Sequence, residues 1–216
     1  VRTLGEFARH LEEDRPDLER VFNDGQPLGR LIKGGRGISD SHNGGRAVMT
    51  CRFECGTRIV YKPRSMSIDI AWIDIVKTFN ANVEPDLQLK TLAVLDRDLH
   101  GWMEFAERMP CRCEEEVACY YRRMGCLLAL IHTMQGHDFH LENVVASGAH
   151  PVAIDLETIS VPEPIVADDG RLVDPAVDIA QRSVLRTLLL PSVMGMRGQN
   201  GMRNLGAVGI EVDAGK

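Results

Sequence analysis

The stretch that most constrains this chain is residues 136–158, which reads GHDFHLENVVASGAHPVAIDLET. Two short apolar runs lie within it, at residues 143–146 and 152–154. Ser147 and Gly148 between these runs are typical turn residues. Short apolar runs on either side of a Ser-Gly pair favour two antiparallel strands, so we predict a β-hairpin here.

Polar side chains surround this hairpin with the spacing D-x-H-x-x-N, followed by an apolar strand that ends in Asp. The hairpin would carry Asp155 back toward Asp138 and Asn143. Phosphoryl-transfer enzymes need such a group, because an acid lies beside the attacking hydroxyl while an amide and a carboxylate hold the metal-bound nucleotide. A structural explanation stays open, since Asp138 and Asn143 are common turn residues and His140 is compatible with a hydrogen-bonded core imidazole.

Length and composition bound the class of protein. The 216 residues are enough for one sizeable domain or two small lobes. No apolar run approaches the roughly 20 residues that span a bilayer, and a net charge of −6 gives no general attraction to nucleic acid or anionic membranes. The six cysteines lack the paired CxxC spacing of a zinc module, which favours reduced thiols and a cytoplasmic location. The chain begins with Val1 rather than Met, so we expect a processed or excised piece.

A second candidate site lies nearer the N-terminus. Residues 34–46 contain five glycines, whose backbone amides can approach an anion closely. Residues 47–54 and 57–61 then predict a β-hairpin that ends at Lys62. A glycine-rich loop, a hairpin and a lysine at a strand end are what a kinase N-lobe uses to cover a nucleotide and hold its phosphates. A flexible connector and a solvated lysine are the plain alternatives.

The remaining segments are predicted from the spacing of their apolar residues. We expect residues 4–22 to form a surface helix broken near Pro16, because proline disrupts helix interiors. The other expectations are a core helix at 68–79, a strand at 87–95, a linker between lobes at 101–105, a long buried helix at 114–134 and an apolar element at 184–191.

These motifs resemble the dehydratase domain of class II lanthipeptide synthetases, the LanM family. The matching stretches follow the family order and read SDSHNGGRAV (39–48), RIVYKPRS (58–65), GWMEF (101–105), HDFHLENVVASGAHPVAIDLET (137–158) and SVLRTLLLP (183–191). The resemblance implies an α+β, lipid-kinase-like bilobal fold. It places an N-lobe with a β-hairpin, sheet and helix at residues 1–100, and an incomplete helical C-lobe at residues 101–216.

The resemblance also implies an activity and its partners. In that family, ATP and Mg²⁺ serve to phosphorylate Ser and Thr of a ribosomally made precursor peptide, and elimination of phosphate then gives dehydroalanine and dehydrobutyrine. The implied partners are a precursor peptide with a leader and a Ser/Thr/Cys-rich core, the remaining dehydratase lobe and a zinc cyclase. The family's elimination groups lie in a later C-lobe segment, so we expect only the phosphorylation residues within these 216.

Carried over by position, the resemblance assigns catalytic roles to individual side chains. Lys62 matches the lysine that binds the nucleotide phosphates. Asp138 and His140 match the catalytic-loop pair, while Asp40 and His42 match a polar pair in the glycine-rich loop.

The same comparison assigns the metal-nucleotide ligands. Asn143 and Asp155 match residues that bind cofactor and metal, and Glu157 lies beside them as a third metal ligand. One departure is Ser39, where the family usually has Gly.

Other interpretations stay open. One is a small-molecule or lipid phosphotransferase of the same fold, and another is a non-catalytic remnant that binds a nucleotide or peptide. A metal hydrolase that uses His42, His137 and His140 is weaker, because these residues share no recognised zinc spacing.

Overall fold

The chain divides into two compact units, each of which contains both helices and strands. The first unit comprises Val1–Lys77 and Thr91–Ala106, and the second comprises Thr78–Lys90 and Glu107–Lys216. The mixed composition is that of an α+β protein, whereas the lipid-kinase-like bilobal arrangement stays a prediction. The structure, a computed structural model, describes residues 2–36, 48–159, 175–195, 202–204 and 206–208.

The first unit is built on a five-stranded antiparallel sheet. In chain order its strands are β1 (Leu31–Arg36), β2 (Met49–Phe53), β3 (Arg58–Lys62), β4 (Val94–Asp96) and β5 (Gly101–Glu104). Across the sheet they lie in the order β1-β2-β3-β5-β4. The predicted hairpin after the glycine-rich loop is present as β2 and β3, with Gly56 at φ +96° in the turn between them.

Helix α1 (Arg2–Phe22) is continuous over 21 residues, so the predicted break near Pro16 is wrong. Phe7 and Leu11 before the proline and Leu18 after it are all buried in the core of the first unit. Burial of each such side chain stabilises the fold by roughly 1.5–3 kcal/mol. Together they exceed the roughly 3 kcal/mol that a proline costs inside a helix. Tertiary packing on both sides of Pro16 therefore holds the helix together.

Residues 101–105 do not form the predicted linker. They form β5, which pairs with β3 on one side and β4 on the other. Trp102 is fully buried, and a side chain at Gly101 would collide with Met66, so this glycine reflects close packing rather than a connector. The first unit consequently continues to Ala106 instead of ending at residue 100.

Helix α2 (Ser67–Asn80) confirms the predicted core helix, and it buries Asp69, Trp72 and Val76. The strand predicted over residues 87–95 is confined to the short β4. The reason is local, because the Asn80 side-chain amide bonds both the N–H and the C=O of Leu89, each at 2.8 Å. Those backbone groups are therefore not available for a strand ladder.

The second unit contains one long helix and two small hairpins. Helix α3 (Glu114–Thr133) confirms the predicted helix at 114–134, but only one face is buried, through Arg123, Met124, Leu127 and Ile131. Strands β6 (Val144–Ser147) and β7 (His150–Ala153) form one hairpin. The apolar segment 184–191 begins with a 3₁₀ turn, and Leu189 within it is fully buried. The remaining elements are α4 (Pro175–Arg182), β8 (Val193–Gly195) and β9 (Met202–Asn204).

A buried carboxylate ties α1 to the β4–β5 segment. Asp14 accepts hydrogen bonds from Arg97 Nε at 2.7 Å and from Trp102 Nε1 at 2.7 Å. His100 Nε2 lies 2.8 Å from the same carboxylate. Burial by itself raises the pKa of Asp14, but the hydrogen bonds from these three residues outweigh it and hold that pKa below its usual value.

We therefore expect Asp14→Asn to lower the free energy of unfolding by about 2–4 kcal/mol, because a buried ion pair loses one partner. Since the pKa of Asp14 is depressed in the fold, its contribution is present above the ordinary Asp pKa and is lost as the pH falls. Urea unfolding should show a constant difference from wild type above about pH 5 that shrinks below about pH 4. Asp17→Asn, at an exposed partner of Arg97, is the matched control, and an equal loss in both variants would contradict the assignment.

Candidate functional site

The loop between α3 and β6 carries the predicted catalytic pair. Phe139 anchors it, since its side chain is fully buried and its N–H donates to the Thr187 carbonyl at 2.8 Å. Gly136 allows the close turn into the loop, because a Cβ there would lie 2.8 Å from the Ile131 side chain. With Phe139 held inward, Asp138 has a left-handed backbone at φ +66° and a side chain that is 51% exposed. The Asp138 carboxylate is therefore exposed to solvent on an anchored loop.

Hydrogen bonds within the loop order its polar side chains. Asn143 Nδ2 donates to the Asp138 carbonyl at 2.8 Å, and the Asn143 N–H donates to the His140 carbonyl at 3.0 Å. The Glu142 N–H donates to His140 Nδ1 at 3.2 Å. A backbone N–H can only donate, so Nδ1 is the acceptor in this contact. The other ring nitrogen, His140 Nε2, is 3.6 Å from Asp138 Oδ1.

The hairpin predicted from the sequence is present and carries Asp155 to this loop. Val144 lies opposite Ala153 in the register of β6 and β7. One residue further along, the Ile154 N–H donates to the Asn143 carbonyl at 3.0 Å, so Asp155 follows directly. Thr158 Oγ1 also donates to the His137 carbonyl, which ties the segment after Asp155 to the residue before Asp138.

The predicted metal ligands differ in their surroundings. Asp155 is half-buried, and its Oδ1 accepts the Glu157 N–H at 3.3 Å, whereas Glu157 is exposed. Mg²⁺ prefers oxygen ligands and is commonly held by one or two protein groups together with nucleotide phosphates and water. The amide oxygen of Asn143 and the carboxylate of Asp155 fit that donor set. Within the part of the chain that the structure describes, no three His, Cys, Asp or Glu side chains cluster as a metal cage.

Lys62, the predicted phosphate-binding lysine, lies in the first unit. It ends β3 and is only 5% exposed. Its Nζ lies 3.4 Å from Asp69 Oδ1, and Arg64 Nη1 lies 2.7 Å from Asp69 Oδ2. The carboxylate of Asp69 therefore orients two cations at once. These three side chains together carry one net positive charge, which suits a phosphate-binding role.

Sequence reasoning missed Asp69. The stripe of apolar residues on α2 was interpreted as core packing alone, although Asp69 lies on the same helix face as Trp72 and Val76, at positions i, i+3 and i+7. An acidic residue on the buried face of a helix needs a cationic partner. A lysine at the end of the preceding strand was the available candidate, so this spacing contained the signal.

Asp40 and His42, predicted as a catalytic pair, lie outside the described residues, as does Ser39. All six cysteines are free thiols. None of the helices that the structure describes is long and apolar enough to cross a membrane.

Comparisons with known proteins identify the family. Residues 1–215 match a family described as a domain of unknown function, DUF4135. The chain is also 29% identical, over 162 residues, to the lacticin 481/lactococcin biosynthesis protein LcnDR2 of Lactococcus lactis subsp. lactis. That match covers 68% of this chain and 17% of the relative, so the chain spans less than a fifth of the relative's length. The chain therefore belongs to the DUF4135 family, and its resemblance to class II lanthipeptide synthetases is confirmed.

Proposed function

We propose that this chain acts in lanthipeptide biosynthesis by transferring the γ-phosphoryl group of ATP to Ser and Thr hydroxyls of a precursor peptide. This transfer is the first half of dehydration, and elimination of the phosphate completes it. One observation carries the proposal. Asn143 is hydrogen-bonded both to the Asp138 carbonyl and to Ile154, which holds an acid, an amide and the Asp155 carboxylate in one structural piece.

Asp138 is the group that meets the substrate hydroxyl. Phosphoryl transfer depends mainly on positioning and on stabilising charge, so the acid has to reach the attacking oxygen without moving far. The exposed side chain of Asp138 accepts or orients the hydroxyl proton. His140 Nε2 lies 3.6 Å from Asp138 Oδ1, so this ring supports the Asp138 carboxylate or the charge on the transferred group.

Asn143 and Asp155 are the residues that would hold Mg²⁺. The Asn143 Nδ2 bond to Asp138 fixes the orientation of the amide and reserves Oδ1 for a cation. The Glu157 N–H holds one oxygen of Asp155 in place. When bound, Mg²⁺ neutralises charge on the β- and γ-phosphate oxygens of ATP. Glu157 is exposed and is the third proposed metal ligand.

Lys62 supplies a cation for the nucleotide phosphates. A buried lysine is costly unless it is paired, and Asp69 provides that pairing. The ion pair also restricts the rotamers of a flexible side chain, so less entropy is lost when phosphate binds. Arg64 shares the same carboxylate and adds a second cation.

Phosphate elimination is a separate requirement. It needs abstraction of a weakly acidic Cα proton while phosphate leaves, and hence its own base and anion-stabilising groups. The proposal assigns only the phosphorylation residues to this chain. The remaining dehydratase lobe and a zinc cyclase are the proposed partners that complete the modification.

Mass spectrometry of a Ser- and Thr-containing precursor peptide incubated with the chain, ATP and Mg²⁺ tests this function. We expect gain of phosphate on Ser and on Thr without loss of water, and we expect Asp155→Asn to abolish both phosphorylated products. Glu142→Gln, which changes an exposed carboxylate in the same loop, is the control and should retain them. Phosphate on a sugar or lipid instead of the peptide would favour a small-molecule phosphotransferase, and no transfer at all would favour a non-catalytic binding role.

Calorimetry with Mg-ATP tests the Lys62 site separately. Lys62→Ala should weaken binding about tenfold or more, because a charge-assisted phosphate contact is lost. Asp69→Asn should weaken it by a similar factor, since the lysine loses the group that orients it. Asp74→Asn, at an exposed carboxylate on the same helix, should leave the affinity unchanged. Equal affinity in all four proteins would exclude Lys62 from the nucleotide site.

A further inference from the structure

One row of the first unit's sheet places three cations side by side. Lys33 of β1 lies opposite Arg52 of β2, and Arg52 lies opposite Arg58 of β3. The Phe105 N–H donates to the Arg58 carbonyl at 3.3 Å, which extends the same row by one aromatic residue. We call Lys33, Arg52 and Arg58 the basic row.

The basic row lies on the sheet face opposite the core that packs against α1. Side chains alternate between the two faces of a strand, and the neighbours Cys51, Phe53 and Ile59 are fully buried on the core side. Lys33 and Arg52 are exposed. An open groove of about 470 Å³ runs along the row, and its lining residues are Lys33, Gly35, Thr50, Arg52, Arg58 and Phe105.

Adjacent like charges lower the stability of the sheet. Neighbouring strands lie about 4.8 Å apart, so the row concentrates three positive charges within about 10 Å, and like charges directly opposite each other destabilise the pairing. Lys33 lies on the edge strand β1, where a charge prevents the strand from pairing with other chains. This role would explain Lys33. That explanation does not cover Arg52 and Arg58, which lie on inner strands.

The guanidinium of Arg58 is also positioned. Its Cζ lies 3.6 Å from the centre of the Phe105 ring, a cation–π contact that restricts the side chain. The chain as a whole has a net charge of −6, so the basic row is not part of a general excess of positive charge.

We propose that the basic row binds an acidic segment of an extended peptide. Arginine binds carboxylates through two parallel hydrogen bonds. Two alternate side chains of an extended chain lie about 7 Å apart on one side, so both fit within the roughly 10 Å length of the row. Phe105 offers an apolar surface to the residues between the acids. The basic row has only three cations, and the protein as a whole is acidic. It therefore suits a ligand with a few carboxylates better than a long nucleic acid, which is bound through many phosphate contacts. This inference rests on the proposed function, since it makes the row a docking site for an acidic part of the precursor peptide outside the modified Ser and Thr.

Fluorescence anisotropy with a labelled ten-residue peptide of alternating Glu and Leu tests the docking site. This peptide contains no hydroxyl to phosphorylate, so its binding is independent of catalysis. We expect saturable binding that weakens as salt is added, because exposed charges are screened, and no binding of the same peptide with Gln in place of Glu. Lys33→Gln or Arg52→Gln should weaken binding about fivefold, and the double variant more than tenfold. Arg20→Gln, at an exposed arginine on α1, is the control and should bind as the wild type does.

The two proposals fail in different ways. If the row docks the peptide, Asp155→Asn should still bind the Glu peptide although it yields no phosphorylated product. Row-dependent binding without phosphoryl transfer by the wild type would therefore overturn only the proposed function. Equal binding by the wild type and the double variant, or equal binding of the Gln peptide, would overturn the docking site. Tighter binding of a single-stranded oligonucleotide than of the Glu peptide would reassign the row to nucleic acid and overturn it as well.

Discussion

The candidate catalytic unit depends on the hydrogen bonds of a single residue, Asn143. Its side chain holds the Asp138 carbonyl, its N–H holds the His140 carbonyl, and its own carbonyl accepts the N–H of Ile154. These bonds fasten the loop to the hairpin, and the Thr158 hydroxyl adds a second tie to the His137 carbonyl. Because hydrogen bonds of this kind fix backbone positions, Asn143 sets the backbone from which Asp138 and Asp155 extend, and the Glu157 N–H then holds the Asp155 carboxylate. An asparagine is suited to this position, since the amide N donates within the protein while the amide O stays suited to a cation.

In the first unit, ion pairs rather than amide hydrogen bonds hold the important side chains in place. Lys62 and Asp69 are both buried, and each offsets the desolvation cost of the other. The Asp14 carboxylate is likewise buried and is balanced by Arg97, His100 and the Trp102 indole. In both clusters the partners come from different elements, so the ion pairs fix how helix and sheet pack. The groups that are proposed to bind phosphate and the groups that stabilise the unit therefore share one property. In both clusters, each buried carboxylate is paired with groups that balance its charge.

Local patterns predicted the elements in which short-range chemistry decides the backbone. The hairpin of β6 and β7 followed from two apolar runs around Ser147 and Gly148, and the hairpin of β2 and β3 followed from similar alternation around Gly56. Prediction failed where distant packing outweighed a local preference. Pro16 argued for a helix break, but the core contacts on both sides of it keep α1 continuous. The segment 101–105 resembled a connector, and its role as an inner strand depends on pairing with β3, which is distant in sequence, as well as with the neighbouring β4.

The sequence by itself determined the family, the residues of the D-x-H-x-x-N loop and the strand that ends before Asp155, because these depend on residue identity at short fixed spacings. Only the tertiary structure decided which charges meet. The pairing of Lys62 with Asp69 requires β3 and α2 to pack at one particular angle, and no pattern within either element specifies that angle. The alignment of Lys33, Arg52 and Arg58 requires the register of three strands, and a shift of one residue in a strand would send its side chains to the opposite face. Register and packing are properties of the whole fold, since they are set by the burial of residues far apart in the chain.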